Sequence, residues 1–232
     1  MRTPTENKPR WERRKDERPR ELLAAAMDLF VDKGFAATRL TDVAARAGVS
    51  KGTLYLYFTN KEDLFKTVVR EHLLPVLGDA EALVGTFDGH SADLFRDLML
   101  GWWQRIGDTK LSGITKLMMA ESGNFPELAQ FYHQEIILRG TTLIARILER
   151  GMARGEFRKI DAQLTTQAII APTIMLMMSQ HAFCNCQIKP VSPLDYLNNF
   201  VDLCLYGMLQ RDAAATNANA SAAESPQPTL PC

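Results

Sequence analysis

Residues 40–58, LTDVAARAGVSKGTLYLYF, have the spacing of a helix-turn-helix motif. Val43, Val49 and Leu54 fall at the positions where two short helices bury apolar contacts against each other, and Gly48 permits the tight turn between them. The stretch therefore predicts a pair of crossed helices of the kind that binds DNA, and the rest of the chain has to supply the partners of this pair.

The second helix of this motif carries a glycine where helix propensity is poorest. Ser50 is a residue type that caps helix N-termini, whereas glycine costs about 1 kcal/mol relative to alanine inside a helix. A recognition helix presents its first turn to the major groove, so Ser50, Lys51, Gly52 and Thr53 are the first residues to approach DNA. We infer that Gly52 removes a Cβ where the backbone passes close to DNA, and that Thr53 offers a hydroxyl and a methyl group.

The remaining sequence also has the apolar periodicity of helices. Apolar residues recur at intervals of three and four, and alternating runs of Val, Ile and Thr are scarce. We therefore predict an all-α fold, and 232 residues suffice for one large or two modest domains. Pro19 suits the first turn of the first helix, and Asn60 is expected to cap the fourth. The predicted helices span about residues 17–33, 40–47, 51–58, 61–77, 92–106, 111–122, 126–154, 162–184 and 193–209.

The two parts of the chain carry opposite charge. Residues 1–72 hold 15 Lys and Arg against 11 Asp and Glu, a formal charge of +4, so the remainder, with 12 against 16, carries −4. Much of the positive excess lies in residues 2–20, and residues 1–16 are predicted to form a flexible basic arm. Charge alone leaves open whether this arm contacts DNA phosphates or is only solvated.

The sequence shows neither the apolar core of a signal peptide nor an uncharged apolar run of about 18 residues. We therefore expect a cytoplasmic protein with no membrane partner. The cysteines, Cys184, Cys186, Cys204 and Cys232, are too few and too clustered for a secreted disulfide framework. A structural role is preferred to a metal or redox role, and the reactivity of Cys184 and Cys186 stays open because it depends on exposure and pKa.

Residues 19–66 resemble the TetR/AcrR family of transcriptional regulators over its whole DNA-binding domain. The matching stretches are DLFVDKGF (28–35), AGVSKGTLYLYF (47–58) and NKEDLF (60–65). The resemblance implies a homodimer of all-α subunits, each with an N-terminal three-helix helix-turn-helix domain and a C-terminal helical domain for ligand binding and dimerisation. Two later stretches, ESGNFPELAQFY and RGEFR, are similar to a subset of the family named for multidrug-efflux repressors.

The domain boundaries expected on this basis follow the helices. The helix-turn-helix domain spans residues 17–66, with a linking helix that continues to about residue 77, and the ligand-binding and dimerisation domain spans residues 78–210. Residues 211–232 lack aromatic side chains and carry little branched apolar content, so they are predicted to be disordered.

The resemblance also implies DNA contacts from Tyr55 and Tyr57. The same helix must bury Leu54 and Phe58, so one of the tyrosines could instead be a core residue, and Tyr55 is the preferred contact. Leu56 departs from the family pattern, because an exposed leucine can pack on a thymine methyl group but cannot hydrogen-bond a base.

Thr38 and Lys61 lie at predicted helix starts that face the DNA backbone. Phosphate contacts from such positions fix the register of a protein on DNA rather than its sequence preference. For Lys61 a solvated surface position is the alternative. The complete set of predicted DNA-contacting residues is Thr38, Thr41, Ser50, Lys51, Gly52, Thr53, Tyr55, Leu56, Tyr57 and Lys61.

The second part of the chain has no catalytic spacing. His72, His90, His133 and His181 are scattered, and the sequence contains no nucleophile motif, paired carboxylates or phosphate-binding loop. We therefore predict that the protein is not an enzyme and needs neither a cofactor nor a metal. A small-molecule enzyme on a helical scaffold is the alternative, which a cluster of perturbed titratable groups would support.

Large, soft apolar side chains are frequent in this second part. Because methionine adapts to irregular shapes, a cavity rich in Met and aromatic residues is a plausible site for a hydrophobic ligand. For each residue taken singly, an ordinary place in a helical core is the alternative. The predicted ligand-binding residues are Phe95, Trp102, Trp103, Met118, Phe131, His133, Met175 and Met178.

The last two predicted helices are apolar on more than one face. Helices of this kind are buried, and the TetR resemblance implies that these two form the contact of a homodimer. Two copies also match the two half-sites of a palindromic operator.

These features together predict a DNA-binding transcriptional regulator, preferably a repressor that a small hydrophobic effector releases from a palindromic operator. As a hypothesis, the effector tilts the predicted fourth helix and changes the separation of the two recognition helices. A transcriptional activator of the same fold and a helical ligand-binding protein without DNA binding are the alternatives.

Overall fold

The computed structural model describes the backbone of residues 10–182 and 191–210, with side chains for residues 18–181 and 191–210. The predicted all-α fold is confirmed, since helices joined by short loops make up almost all of this part of the chain. The helices are α1 (Arg10–Lys33), α2 (Leu40–Arg46), α3 (Lys51–Tyr55), α4 (Lys61–His72), α5 (Leu74–Thr86), α6 (Ser91–Trp102), α7 (Ser112–Glu121), α8 (Pro126–Tyr132), α9 (Leu138–Ala153), α10 (Ala162–Ala182) and α11 (Pro193–Met208).

The predicted helix-turn-helix is formed by α2 and α3. Gly48 has a φ of +65° in the turn between them, a backbone conformation that favours glycine. The predicted N-caps are confirmed: Ser50 Oγ accepts a hydrogen bond from the Thr53 N–H over 3.1 Å, and Asn60 Oδ1 accepts one from the Asp63 N–H over 2.7 Å.

Helix α3 is shorter than predicted. It ends at Tyr55, and Leu56 and Tyr57 form a tight turn in which the Tyr57 N–H bonds to the Leu54 carbonyl over 3.0 Å. This turn brings the Phe58 side chain into the core, where it is 5% exposed.

Two other helix boundaries also differ from the prediction. Helix α1 begins at Arg10 rather than near residue 17, so Pro19 lies inside it, and residues 10–16 of the predicted flexible arm are helical. Arg, Glu and Lys dominate this stretch, and they are good helix formers. The predicted helix 61–77 is two helices, α4 and α5, because Pro75 in the first turn of α5 lacks the N–H that would continue α4.

Most of helix α5, residues 78–86, was missed by the sequence prediction, which placed no helix between residues 77 and 92. Two predicted helices are interrupted by π-turns. The first π-turn, Trp103–Gly107, follows α6, and the second π-turn, His133–Ile137, joins α8 to α9.

The structure has two apolar cores. The first lies beneath the helix-turn-helix and includes Phe30, Phe35 and Phe65, whose rings are 5.4–5.6 Å apart in pairs. It continues into α7 and α8 through buried residues such as Leu117 and Leu128. The second core lies among α5, α6, α9, α10 and α11.

Helices α1 and α7 approach closely where the first core joins the rest of the molecule. A Cβ added at Gly113 would lie 2.5 Å from Val31 Cγ1, closer than real Cβ atoms approach other atoms. Helix α1 therefore depends on a glycine of α7 for its packing.

Several predictions fall on residues outside the described ranges. They concern residues 1–9 of the basic arm, the pair Cys184 and Cys186, and the tail from residue 211 with Cys232. Among the helices within the described ranges, none is long and apolar enough to cross a membrane.

Candidate nucleic-acid interface and apolar cavity

The outer side of the helix-turn-helix is formed by α3 and the turn after it. Lys51, Tyr55, Leu56 and Tyr57 are exposed, and Leu56 reaches 81% exposure, whereas Leu54 is fully buried. The structure thus places both tyrosines outside the core, so Tyr57 is not the core residue that the sequence left open. A cation, two phenols and an apolar group lie within two turns, a set that can contact phosphates and base edges.

Gly52 is exposed in the first turn of α3. A Cβ at this position would lie 3.7 Å from Ser50 Oγ, which is an ordinary van der Waals distance. Packing within the protein therefore does not require glycine here.

Ser50 and Thr53 face the same side but are partly engaged with each other. Their hydroxyl oxygens are 2.9 Å apart, in addition to the cap bond from the Thr53 N–H. Thr41, in the first turn of α2, is exposed. We use the name recognition surface for exposed residues at the start of α2, at the cap and body of α3, and in the following turn. Its members are Thr41, Ser50, Lys51, Gly52, Tyr55, Leu56 and Tyr57.

The structure corrects the prediction for Thr38. Its side chain is 1% exposed, and its hydroxyl lies 2.7 Å from the Gly34 carbonyl oxygen and 3.1 Å from that of Leu29. The hydroxyl is used to hold the loop after α1, so it is not placed for a phosphate contact.

Lys61 is neither a free phosphate ligand nor a solvated lysine. Its ammonium donates to the Phe35 and Ala36 carbonyls over 2.8 and 3.1 Å and lies 4.5 Å from the centre of the Phe35 ring. Two of its three donors thus fix the start of α4 to the loop after α1.

Arg39 is a candidate that the sequence analysis missed. It is exposed at the residue before α2, two positions from Thr41. Its place beside a helix start of the motif was the available signal, since an arginine there can contact phosphate.

An apolar cavity of about 740 Å³ lies among α5 to α10. This volume falls within the range of about 300–1,000 Å³ that is common for small-molecule sites. Aliphatic side chains dominate its wall and include Leu77, Leu83, Leu98, Ile144 and Ile174.

A few polar groups interrupt the apolar wall. The Tyr132 and Thr115 hydroxyl oxygens are 2.7 Å apart, and burial raises the pKa of Tyr132 to about 12. Thr173 Oγ1 donates to the Ile169 carbonyl of its own helix over 2.6 Å.

Charged side chains contribute to the wall at exposed positions of α5, α6 and the first π-turn. Arg105 Nη1 donates to Asp79 Oδ2 over 2.9 Å, and Asp97 lies on α6. The cavity therefore combines an apolar wall with a small set of polar groups, as expected for a ligand site.

The structure places the predicted ligand-binding residues in three environments. Trp102 and Met118 line the cavity. Phe95, Trp103 and Phe131 are core residues whose side chains do not line it, because they pack against neighbouring helices.

The other three predicted ligand-binding residues also lie outside the cavity wall. His133 is exposed, Met175 is 64% exposed, and Met178 is half-buried. These six side chains do not line the cavity, since periodicity identifies apolar helix faces but not which of them border a space.

Both π-turns border the cavity. Ile106 of the first π-turn and Ile136 and Ile137 of the second line it. Such turns shift the register of a helix by one residue and occur often at functional sites. Sequence reasoning missed these residues and all the lining residues of α5. No helix was predicted for residues 78–86, and the α5 residues before them were not considered for ligand contact.

The cavity wall is continuous with the first core. Leu73, Ile106, Met118 and Tyr132 are buried members of that core and also line the cavity. Leu73 lies at the junction of α4 and α5. A ligand in the cavity would therefore touch side chains that support the helix-turn-helix.

Asp28 of α1 joins the two parts of the molecule on the surface. Its carboxylate accepts hydrogen bonds of 2.8 Å from Arg46 at the end of α2 and from Lys110 before α7. Hydrogen bonds from Lys110 and Arg46 hold the pKa of Asp28 below its usual value.

Helices α10 and α11 carry exposed apolar side chains. Leu164, Met175, Leu203 and Tyr206 are each more than 60% exposed. Scattered apolar residues on a surface are normal, whereas this concentration on two helices is typical of an interaction site.

The described part of the chain has few groups suited to metal binding or to thiol chemistry. No cluster of three or more His, Cys, Asp or Glu side chains there could hold a metal ion. Burial raises the pKa of the Cys204 thiol to about 11, which disfavours the reactive thiolate.

Two family profiles match the chain. Residues 22–68 match the one described as "Bacterial regulatory proteins, tetR family", and residues 96–191 match "AefR-like transcriptional repressor, C-terminal domain". The two matches cover the helix-turn-helix and most of the cavity-forming helices.

Similar proteins agree with these profiles. The chain is 28% identical to the fatty acid metabolism regulator protein of Bacillus subtilis over 159 residues, which cover 67% of this chain and 80% of that one. It is 44% identical to the HTH-type transcriptional activator FasR of Mycolicibacterium smegmatis over 59 residues, 25% of this chain and 27% of that one.

Among solved structures, FadR of Bacillus subtilis in complex with stearoyl-CoA has the same fold. The TM-score is 0.70 at 21% identity, and the match covers 81% of this chain and 98% of that one. With the helix-turn-helix, the helical domain behind it and both family profiles in agreement, the chain belongs to the TetR family of transcriptional regulators.

Proposed function

We propose that the protein is a repressor that binds a palindromic operator as a homodimer and is released by a small hydrophobic effector bound in the cavity. The observation that carries this proposal is the wall shared between the cavity and the first core, at Leu73, Met118 and Tyr132. Effector binding and the position of the helix-turn-helix then depend on the same side chains.

The recognition surface, together with Arg39 and Thr53 beside it, supplies the proposed DNA contacts. Tyr55, Leu56 and Tyr57 are aimed outward, while Lys51 and Arg39 bring positive charge to either end of the motif. Thr53 adds a half-buried hydroxyl. Thr38 is not part of this proposal, and Lys61 contributes at most its third donor.

The exposed apolar faces of α10 and α11 support the proposed homodimer. Burying them against a second copy would remove Leu164, Leu203 and their neighbours from water and would place two recognition surfaces on one operator. The predicted division into a helix-turn-helix domain of residues 17–66 and a ligand-binding and dimerisation domain of residues 78–210 belongs to the same proposal.

The proposed switch acts at the junction of α4 and α5. An effector that packs on Leu73, Val76 and Leu77 favours one orientation of these two helices. Because α4 packs against α1, and α1 contacts α2 of the helix-turn-helix, the orientation of α4 sets the separation of the two recognition helices. Operator affinity then changes by the ratio of effector affinities for the two states.

The test uses direct binding to DNA and a variant that fills the cavity. The purified protein is titrated into a labelled fragment from upstream of its own gene, with and without hydrophobic compounds that raise its melting temperature. We expect such compounds to weaken operator binding. Compounds that bind the cavity and leave operator affinity unchanged would contradict the proposal.

Gly140→Leu is the matched cavity variant. Gly140 lines the cavity, and a Cβ there would meet no atom within 4 Å, so a larger side chain can extend into the space. We expect unchanged operator affinity and a loss of about fivefold or more in effector affinity, on the scale of overpacking costs. Gly85→Leu, at an open position of α5 that does not line the cavity, is the control.

An activator of the same fold is the second candidate. It is favoured by the 44% identity, over 59 residues, to a protein named as a transcriptional activator. A reporter assay with the bound promoter distinguishes the two, since deletion of the gene raises expression for a repressor and lowers it for an activator.

A further inference from the structure

A hydroxyl pair inside the cavity has an unused donor. Tyr132 is 4% exposed, and its only hydrogen-bond partner among the described residues is Thr115, at 2.7 Å. Two hydroxyls carry two hydrogens, and the bond between them uses one. The second hydrogen remains for an acceptor in the cavity.

The pair stays uncharged at physiological pH. Burial raises the pKa of Tyr132 to about 12, although the hydrogen bond with Thr115 opposes this shift. Tyr132 is therefore a neutral phenol that can donate a hydrogen bond but cannot pair with a cation as phenolate.

The cavity offers no unpaired cation among the described residues that line it. Among the described residues, the charged ones in the lining are Asp79, Asp97 and Arg105, and Arg105 is already paired with Asp79 at 2.9 Å. Arg139, beside the lining residue Gly140, forms two hydrogen bonds of 2.8 Å with Glu81. The two aspartates and one arginine of the lining thus carry a net charge of −1.

This net negative charge disfavours the binding of anionic ligands. A carboxylate brought into the apolar interior would lose hydration without gaining a cation. A coenzyme A thioester carries several phosphate charges, which need Arg or Lys at the mouth of a site rather than Asp97.

We propose that the effector is an uncharged apolar molecule with one hydrogen-bond acceptor, such as an ester or ketone oxygen, that binds the Tyr132–Thr115 hydroxyl pair. This inference rests on the proposed function in taking the cavity as the effector site. An uncharged effector would distinguish this protein from FadR of Bacillus subtilis, whose solved structure contains stearoyl-CoA.

The first test compares ligands that share one chain and differ in charge. Methyl decanoate, decanoate and decanoyl-CoA are titrated into the full-length protein by calorimetry at neutral pH. We expect methyl decanoate to bind at least about tenfold more tightly than the two anions, because each anion loses hydration at a site without a free cation. Equal or tighter binding of decanoate or decanoyl-CoA would overturn the inference.

The second test removes the donor. Tyr132→Phe and Thr115→Val should each weaken methyl decanoate about three- to tenfold, as expected for one buried hydrogen bond. Binding of pentylbenzene, which lacks an acceptor oxygen, should not change. Thr142→Val is the control, because Thr142 of α9 lies outside the cavity wall and its hydroxyl already donates to the Leu138 carbonyl. Equal losses for both ligands would show that the pair only packs, and would overturn the inference.

The third test reverses the charge of the wall. Asp97→Lys should improve the affinity for decanoyl-CoA at least about threefold at low salt and leave methyl decanoate unchanged. No gain for decanoyl-CoA would contradict the electrostatic argument.

All three tests measure ligand binding without DNA, so their outcomes do not depend on whether the protein is a repressor. Release of the operator by decanoyl-CoA but not by methyl decanoate would preserve the proposed function and overturn this inference. Tight, Tyr132-dependent binding of methyl decanoate without operator release would support the inference and contradict the proposed function.

Discussion

The recognition surface and the cavity are assembled in different ways. Residues 41–57 supply the whole recognition surface, whose side chains are exposed and make few contacts with the rest of the protein. The cavity takes its wall from six helices between Leu73 and Ile174, and several of its residues belong to the first core. Substitutions on the recognition surface should therefore change DNA affinity without changing the stability of the protein. Substitutions in the cavity wall should change its stability.

The largest expected effect tests this separation within one turn of α3. Leu54→Ala should destabilise the protein by about 2–5 kcal/mol, because Leu54 is fully buried beneath α2 and α3. Leu56→Ala, two residues later at 81% exposure, should leave stability within about 0.5 kcal/mol and weaken DNA binding only. Urea denaturation measures the stability of both variants. A similar loss of stability for the two would contradict the assignment of Leu54 to the buried face and Leu56 to the exposed face.

The next effect concerns the proposed dimer. Leu203→Glu places a charge on the exposed face of α11 and should produce monomers by analytical ultracentrifugation, since a charge opposes burial of that face. Operator affinity should fall at least about 100-fold, because each monomer then binds a single half-site. Leu138→Glu, an exposed leucine of α9, is the matched control, and a dimeric Leu203→Glu protein would exclude this interface.

Gly52 provides a sharper test of the recognition surface. Gly52→Val should weaken operator binding about tenfold or more by placing a branched side chain against DNA, while the fold and dimer are kept, since a Cβ there makes only an ordinary contact at 3.7 Å. Gly52→Ala adds one methyl group and should not lower stability, because alanine is the better helix former. Fluorescence anisotropy with labelled operator measures the affinities, and unchanged binding of both variants would make Gly52 only a permissive helix start.

The smallest effect lies at Asp28, between the two regions. Its pKa is lowered in the folded protein, so its contribution to stability is present above the pKa of the unfolded chain and is lost as the pH falls below about 4. Asp28→Asn should cost up to about 1 kcal/mol at pH 7, as for other surface ion pairs, and progressively less as the pH falls below about 4. Thermal unfolding across this range provides the measurement, and a loss of stability that does not depend on pH would exclude the carboxylate as its cause.

The sequence was sufficient where structure follows from neighbouring residues. Ser50 and Asn60 act as predicted caps, and Gly48 forms the turn, because capping and turn formation involve residues a few positions apart. The identity of the exposed residues of α3 follows from the same short-range pattern.

The sequence was insufficient where function depends on distant contacts. Trp102 lines the cavity and its neighbour Trp103 does not, although both lie on a continuous helical stretch. Periodicity cannot separate them, since a π-turn begins at Trp103 and changes the helix register. Likewise, the burial of the Thr38 hydroxyl depends on carbonyls of α1 and the loop after it, which spacing does not reveal.

The close packing of Gly113 against Val31 limits how the protein can be recombined. A DNA-binding domain taken from another regulator would bring its own residue to the position of Val31. That residue would no longer fit against Gly113 of α7. Chimeric regulators built on this protein should therefore exchange α7 and α8 together with α1–α4, so that the unit transferred is the contiguous core rather than the contiguous sequence.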